Sequence, residues 1–250
     1  MPKTSRGGKM TTIASSIPIP TIVQQVTPPT PQQVLQGNVL PGGGVPFDQF
    51  EGMTDDQKAA VIQQALGQSL PVFLDDSGLQ KFAYYTGLSN KPQIVTEAQL
   101  KAMPGQDIWR SVASTYNRAT DIGYSSKDIY NQVATGDFTC YSNSGGSVYG
   151  RAIYFDIHKG SYGSGRNYTI MHAKIAPTAK TITYRSLMTA WQRERNSGSS
   201  LAKAIMQADH ASQANLYAIA KGYDVVIDRG GSEYHMVLNR RALIMSDKTF

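Results

Sequence analysis

The chain has 250 residues, a formal net charge of +6, a single cysteine and only 17% charged residues. That length holds one sizeable domain or a domain with a tail. The mild, scattered positive charge argues against a dedicated DNA-binding protein and leaves open a weak attraction to phosphate-bearing ligands. The lone Cys140 excludes an internal disulfide, no Cys/His cluster has zinc spacing, and no apolar run approaches the ~20 residues of a membrane span.

Residues 1–45 are dense in Pro, Gln, Thr, Ser and Gly. Such a segment cannot bury enough apolar surface to offset its ordering entropy, so it reads as a flexible tail or tether. Lys3, Arg6 and Lys9 precede an apolar stretch, but prolines interrupt it, which argues against a signal peptide. Order is expected from Phe47. "MTDDQKAAVIQQALGQSL" predicts a helix with Thr54 as N-cap and Gln57 completing a capping box. "DDSGLQKFAYYTGL" predicts a second helix stopped by Gly87, and "TEAQLKAM" a short third. Residues 46–104 therefore read as a small helical lobe ahead of the main domain at 105–250.

The main domain opens with a strand, "DIWRSVA". A helix follows in "SSKDIYNQVATG", capped by Ser125 or Ser126 and stopped by Gly136. "FTCYS", "RAIYFDI", "YTIMHAKIA" and "TITY" read as strands. Two helices are expected next, "SLMTAWQRERN" and one long "SLAKAIMQADHASQANLYAIAKG". The chain then runs through "YDVVIDR", a Gly230–Gly231 turn and a final strand, "EYHMVLNRRALIM". Strands and helices mix without the steady alternation of a doubly wound fold. That predicts α+β with a split, mostly antiparallel sheet.

Three stretches carry candidate chemistry. In "IWRSV", Arg110 sits between apolar neighbours, where an arginine needs either an ion pair or a bound anion. "YGRAIYFD" brings Gly150, Arg151 and Tyr154 to a turn followed by a strand. "GSEYHMVL" sets Glu233 at the mouth of a strand built for a core. Taken singly, each also fits a structural role: an ion pair, a core strand after an ordinary turn, a solvated strand end. His235 alternates with Tyr234 and reads as a structural histidine, Trp191 as a core residue on a helix face, and Arg193, Glu194 and Arg195 as a solvated face. The fourteen tyrosines fit either pockets or the cover of a sheet.

In order and spacing, "IWRSV … YGRAIYFD … SEYHMVLNRRALI" resembles the ADP-ribosyltransferase superfamily over about residues 80–250. That family places Arg or His on a first strand, an aromatic or a Ser-Thr-Ser element on a middle one, and the catalytic Glu at the start of a late one. The middle and late stretches are most similar to the diphtheria-toxin and poly(ADP-ribose) polymerase branch. The Arg is similar to the arginine branch, a combination associated with phage-encoded and bacterial toxin-like members. The pattern departs in Ser111, where a Gly normally follows the Arg, and in Ala152, the second glycine of the middle motif. Ser142 and Ser144 in "FTCYSNS" are a looser Ser-Thr-Ser counterpart, and a Glu-x-Glu alignment would put His235 in the catalytic place.

The resemblance implies that NAD is bound and split at the nicotinamide–ribose bond. Glu233 would be catalytic, and Arg110, Ser111, Gly150, Tyr154, Tyr162 and Tyr168 would line the cofactor, with no metal. Glu233 would stabilise the oxocarbenium charge of the transition state, Tyr154 would stack on nicotinamide, and Arg110 would hold a phosphate or the adenosine ribose. Tyr162 and Tyr168 lie on a glycine-rich segment that either folds over the ligand or is a mobile loop. The expected activity is mono-ADP-ribosylation of a macromolecular acceptor, such as a host protein, by a phage or bacterial effector in the host cytoplasm. Neither specific nucleic-acid binding nor membrane attachment is expected. The alternatives are a non-catalytic protein of a phage virion, assembled through the tail, and an NAD glycohydrolase.

Overall fold

The computed structural model describes residues 43–70, 77–88, 90–113, 115–117, 122–135, 149–161, 168–228 and 233–250. The expected tail up to residue 42, the strand "FTCYS" with Cys140 and Ser142, Ser144 just after it, the stop at Gly136, Tyr162 and the Gly230–Gly231 turn lie outside the described residues.

Hydroxyl caps start most of the helices. Helix α1 (Phe47–Glu51) is followed by α2 (Asp55–Leu66), where Thr54 and Gln57 close a capping box. Ser77 caps α3 (Gly78–Thr86), which ends on Gly87 in the left-handed region at φ 61°. Strand β1 (Gln93–Val95) leads to α4 (Glu97–Ala102), boxed by Thr96 and Gln99. Next come β2 (Asp107–Ala113), the hairpin strands β3 (Thr115–Asn117) and β4 (Ile122–Tyr124), and α5 (Ser126–Ala134), whose box is Ser125 with Asp128. The second half runs β5 (Ile153–Asp156), β6 (Tyr168–Ile175), β7 (Thr181–Thr183), α6 (Tyr184–Ser197), α7 (Ser200–Ile205), α8 (His210–Ala220), β8 (Val225–Ile227), β9 (Tyr234–Val237), a 3₁₀ turn at Arg240–Ala242 and β10 (Leu243–Thr249).

Two expectations are corrected. The long penultimate helix is two helices, α7 and α8, broken at Met206–Asp209. The break turns the Asp209 carboxylate onto the N-terminus of α3, where it accepts the Gly78 amide at 2.6 Å and the Ser212 hydroxyl at 2.7 Å. The closing strand is likewise two strands. Asn239 accepts the Arg241 amide at 3.2 Å and starts the 3₁₀ turn, so β9 and β10 take separate places in the sheet.

Among the described residues the fold is α+β around an eight-stranded mixed sheet of order β1-β10-β6-β2-β5-β9-β8-β7. The outermost pairs, β1–β10 and β7–β8, are parallel and the five inner pairings are antiparallel. Pairing between β2 and β5 is limited to Trp109↔Asp156, whereas β2 runs seven residues against β6. Two half-sheets thus meet at one residue pair. Successive strand residues face opposite sides. Val226, Met236 and Tyr154 pack with α2, α3 and α6–α8, while Val225, Val237, Ile153 and Phe155 pack with Ile129 and Val133 of α5. Phe50, Ile62, Phe82 and Leu88, from the segment read as an N-terminal lobe, share one core with Trp191, Leu201 and Leu216. Trp191 is buried as expected. No helix among the described residues is long and apolar enough to cross a membrane.

Candidate functional site

Strands β2, β5 and β9 are consecutive in the sheet. They carry Arg110 and Tyr154, and Glu233 immediately precedes the third. Where β2 and β5 stop pairing, the Tyr154 carbonyl would lose its ladder partner. Arg110 supplies one, its Nη1 donating to the Tyr154 carbonyl at 2.8 Å. The register aligns Trp109, Asp156 and Tyr234 in one row across the three strands, with Glu233 one residue beyond that row and exposed.

The Tyr154 ring is held at both ends. Its hydroxyl donates to the Gly150 carbonyl at 2.5 Å, and its ring meets Tyr234 edge-on at 6.3 Å between centroids. Gly150 stands at φ 99°, and a Cβ there would fall 2.5 Å from the Ala211 carbonyl oxygen. That approach is locked by Arg151 N–H donating to Ala211 O at 3.0 Å and by Asn215 Nδ2 donating to Arg151 O at 2.7 Å. Only glycine fits. Gly150 and Tyr154, two of the residues that the resemblance assigns to NAD, are thereby built into a rigid turn against α8.

A rim of half-buried tyrosines surrounds this turn. Tyr149 meets Tyr184 at 4.8 Å and Tyr234 at 6.2 Å. Buried Asp228, next after β8, donates its amide to the Tyr234 carbonyl at 2.9 Å. A hydrogen bond to Asp228 pushes the Tyr149 phenol up, and burial followed by the same carboxylate does so for Tyr184.

The other named residues are less closely grouped. The Ser111 hydroxyl is buried without a hydrogen-bond partner among the described residues, and Ser111 pairs with Ile170. Tyr168 pairs with Ala113 at the start of β6, so β2 separates it from β5 and Tyr154. His235 is buried on β9 opposite Phe155.

Sequence reasoning missed two histidine–carboxylate clusters. His172 on β6 is 1% exposed, with Nδ1 2.9 Å from a Glu97 carboxylate oxygen and Nε2 2.9 Å from Asp107 Oδ1. Both contacts are to acceptor-only groups, an arrangement that satisfies the imidazolium form. Trp109 stacks on the ring at 3.9 Å, and Lys174 and Lys101 pair with Asp107 and Glu97 at 3.3 and 3.2 Å. Burial, the largest single influence, pushes both carboxyls up. The bonds from His172, with those from Ser246 and Lys101 to Glu97 and from Lys174 to Asp107, outweigh it and hold both below the usual carboxylate range. The second cluster is Asp156 with exposed His158, just past the end of β5. Its sequence signal is the "DIH" spacing at a strand end, which period two places on one side of the chain. Among the described residues no group of three or more His, Cys, Asp or Glu side chains could hold a metal ion.

No family model, curated protein or solved structure matches the chain.

Proposed function

We propose that the chain is a mono-ADP-ribosyltransferase of the ADP-ribosyltransferase fold type, splitting NAD between nicotinamide and ribose and passing ADP-ribose to a macromolecular acceptor. The observation that carries this reading is the adjacency of β2, β5 and β9, which bear Arg110, Tyr154 and, one residue ahead, Glu233 around the single Trp109↔Asp156 junction. A sheet whose halves join at one pair offers diverging strands, and divergent strand ends form clefts suited to small ligands.

In this reading Glu233 faces the positive charge that develops on the ribose only in the transition state, so its carboxylate lowers the barrier more than it tightens ground-state binding. The Tyr154 ring, pinned through its hydroxyl to Gly150 O, offers a fixed face for the nicotinamide. Arg110, an always-charged fork, suits the cofactor's pyrophosphate. The acceptor is a host protein, and the tail serves as a tether to a phage particle.

A second reading, a non-catalytic virion protein that keeps the fold, is favoured by the bond from Arg110 Nη1 to the Tyr154 carbonyl, because that contact is itself structural. Incubation with NAD labelled on the adenylate separates the readings. Label on an acceptor with released nicotinamide supports transfer, nicotinamide without transfer supports hydrolysis, and neither supports the virion role.

A further inference from the structure

The chain has four histidines, and the structure distinguishes them sharply. His172 has carboxylates on both ring nitrogens and is buried, His235 is buried on β9, and His210 lies exposed in the first turn of α8 with no carboxylate on its ring among the described residues. His158 combines an exposed ring with a buried carboxylate partner. Its side chain is 76% exposed, while that of Asp156 is 7% exposed.

Asp156 Oδ1 accepts the His158 backbone amide at 2.6 Å and lies 3.1 Å from its Nδ1. A carboxylate only accepts, so Nδ1 carries the proton of that contact, and in the neutral ring the lone pair sits on Nε2. Nε2 therefore points away from the carboxylate on a ring that is mostly in solvent. This is the arrangement of a general base: a buried carboxylate fixes the tautomer and stabilises the imidazolium formed when Nε2 takes a proton. Among the described residues, Lys159 brings a further charge next to the dyad in sequence, and its ammonium rests over the Trp109 and Phe250 rings at 5.1 and 4.0 Å.

The dyad's position gives it a task. Asp156 pairs with Trp109 on one side and Tyr234 on the other, at the junction of the half-sheets. The β5–β9 ladder ends at Asp156↔Tyr234, so His158 and Glu233 both leave the sheet from that end, on adjacent strands. We infer that His158 is the general base that takes the acceptor's proton, with Asp156 as its positioning residue. This inference rests on the transferase reading above. In the reaction the bond between the anomeric carbon and the nicotinamide nitrogen breaks, and its electron pair leaves with nicotinamide. The acceptor's oxygen or nitrogen lone pair forms the new bond to that carbon. The acceptor's proton goes to His158 Nε2 and then to solvent, so no redox partner is needed.

The test measures ADP-ribose transfer against pH for the full wild-type chain, His158→Gln and Asp156→Asn, beside NAD affinity by calorimetric titration and the melting temperature of each. Transfer in the wild type should rise with pH along an acid-side limb, because a general base has to be unprotonated to take the acceptor's proton. His158→Gln should lose that limb and transfer about 10²–10⁴-fold more slowly, with NAD affinity and melting temperature unchanged because the ring is exposed. Asp156→Asn should retain part of the rate and shift the limb. A His158→Gln chain with the wild-type rate and limb overturns the inference and leaves the transferase reading standing. A wild-type chain that releases no nicotinamide overturns both.

Discussion

The two half-sheets each hold a histidine–carboxylate cluster near Trp109, and the two clusters are opposites. On the β2–β6–β10 side, His172 is enclosed by Glu97, Asp107 and the Trp109 ring, with both nitrogens engaged. On the β5–β9–β8 side, Asp156 holds one nitrogen of His158 and the rest of the ring meets solvent. The first arrangement can only be structural, because no ligand can reach a proton of His172. The second has the access that proton transfer needs. Burial and the number of nitrogens engaged separate the roles, even though both clusters are made of the same residue types.

The largest effect expected from this contrast is on stability. His172→Gln removes the ring that bonds two carboxylates and should cost about 3 kcal/mol, the lower end for breaking a buried pair, since Asp107 is half-exposed. At roughly 2–4 °C per kcal/mol for a chain of this size, the melting temperature should fall by about 6–12 °C. His158→Gln should leave it within about 1 °C, in keeping with a surface substitution away from packed features. Equal losses in calorimetric scans of the two variants would erase the contrast.

Tyr154→Ala probes the other half. It removes a ring that packs on Tyr234 and, in the NAD reading, stacks on nicotinamide. Affinity for NAD should weaken by about 1–3 kcal/mol, the scale of base–aromatic stacking. Tyr154→Phe keeps the ring, loses the bond to Gly150 O and should be milder. Unchanged affinity in the alanine variant would reduce "GRAIYFD" to a core strand.

Arg110→Lys should cost about 1 kcal/mol of stability, because a lysine has to replace the bond to the Tyr154 carbonyl without the planar fork. A melting temperature equal to wild type would show that the carbonyl finds water instead.

The smallest effect is the pH dependence of the His172 cluster. Glu97 and Asp107 are depressed in the folded state, so their contribution is present above the ordinary carboxylate range and is lost as pH falls below it. The wild-type melting temperature should therefore drop on acidification below about pH 4. The drop should be shallower in His172→Gln, where that depression is largely gone, and unchanged in His158→Gln. A wild-type acid slope identical to that of His172→Gln would exclude the cluster as its source.

Local chemistry was legible and tertiary chemistry was not. The Thr54–Gln57 box and the Gly87 stop lie within one turn of chain, and the sequence places both; for α5 it leaves Ser125 or Ser126 as the cap, and the structure uses Ser125, boxed with Asp128. The break before α8 depends on the Gly78 amide, 131 residues from Asp209, so helical periodicity ran through it unseen. Strand β1 has three residues and forms by parallel pairing with β10, which leaves almost no period to read. Arg110, Tyr154 and Glu233 were singled out as separate motifs. Their adjacency required the strand order, and so did the link from Asp156 to Tyr234 that gives His158 its place.

NAD cleavage in this reading depends on Glu233. The most direct measurement is nicotinamide release from NAD by the wild-type chain and by Glu233→Gln, which removes charge while keeping shape. The account predicts release by the wild type and a rate at least about a hundredfold lower in the variant, the scale of losing one preorganised electrostatic group, with both chains melting at the same temperature. Equal release from the two, or none from either, would contradict it.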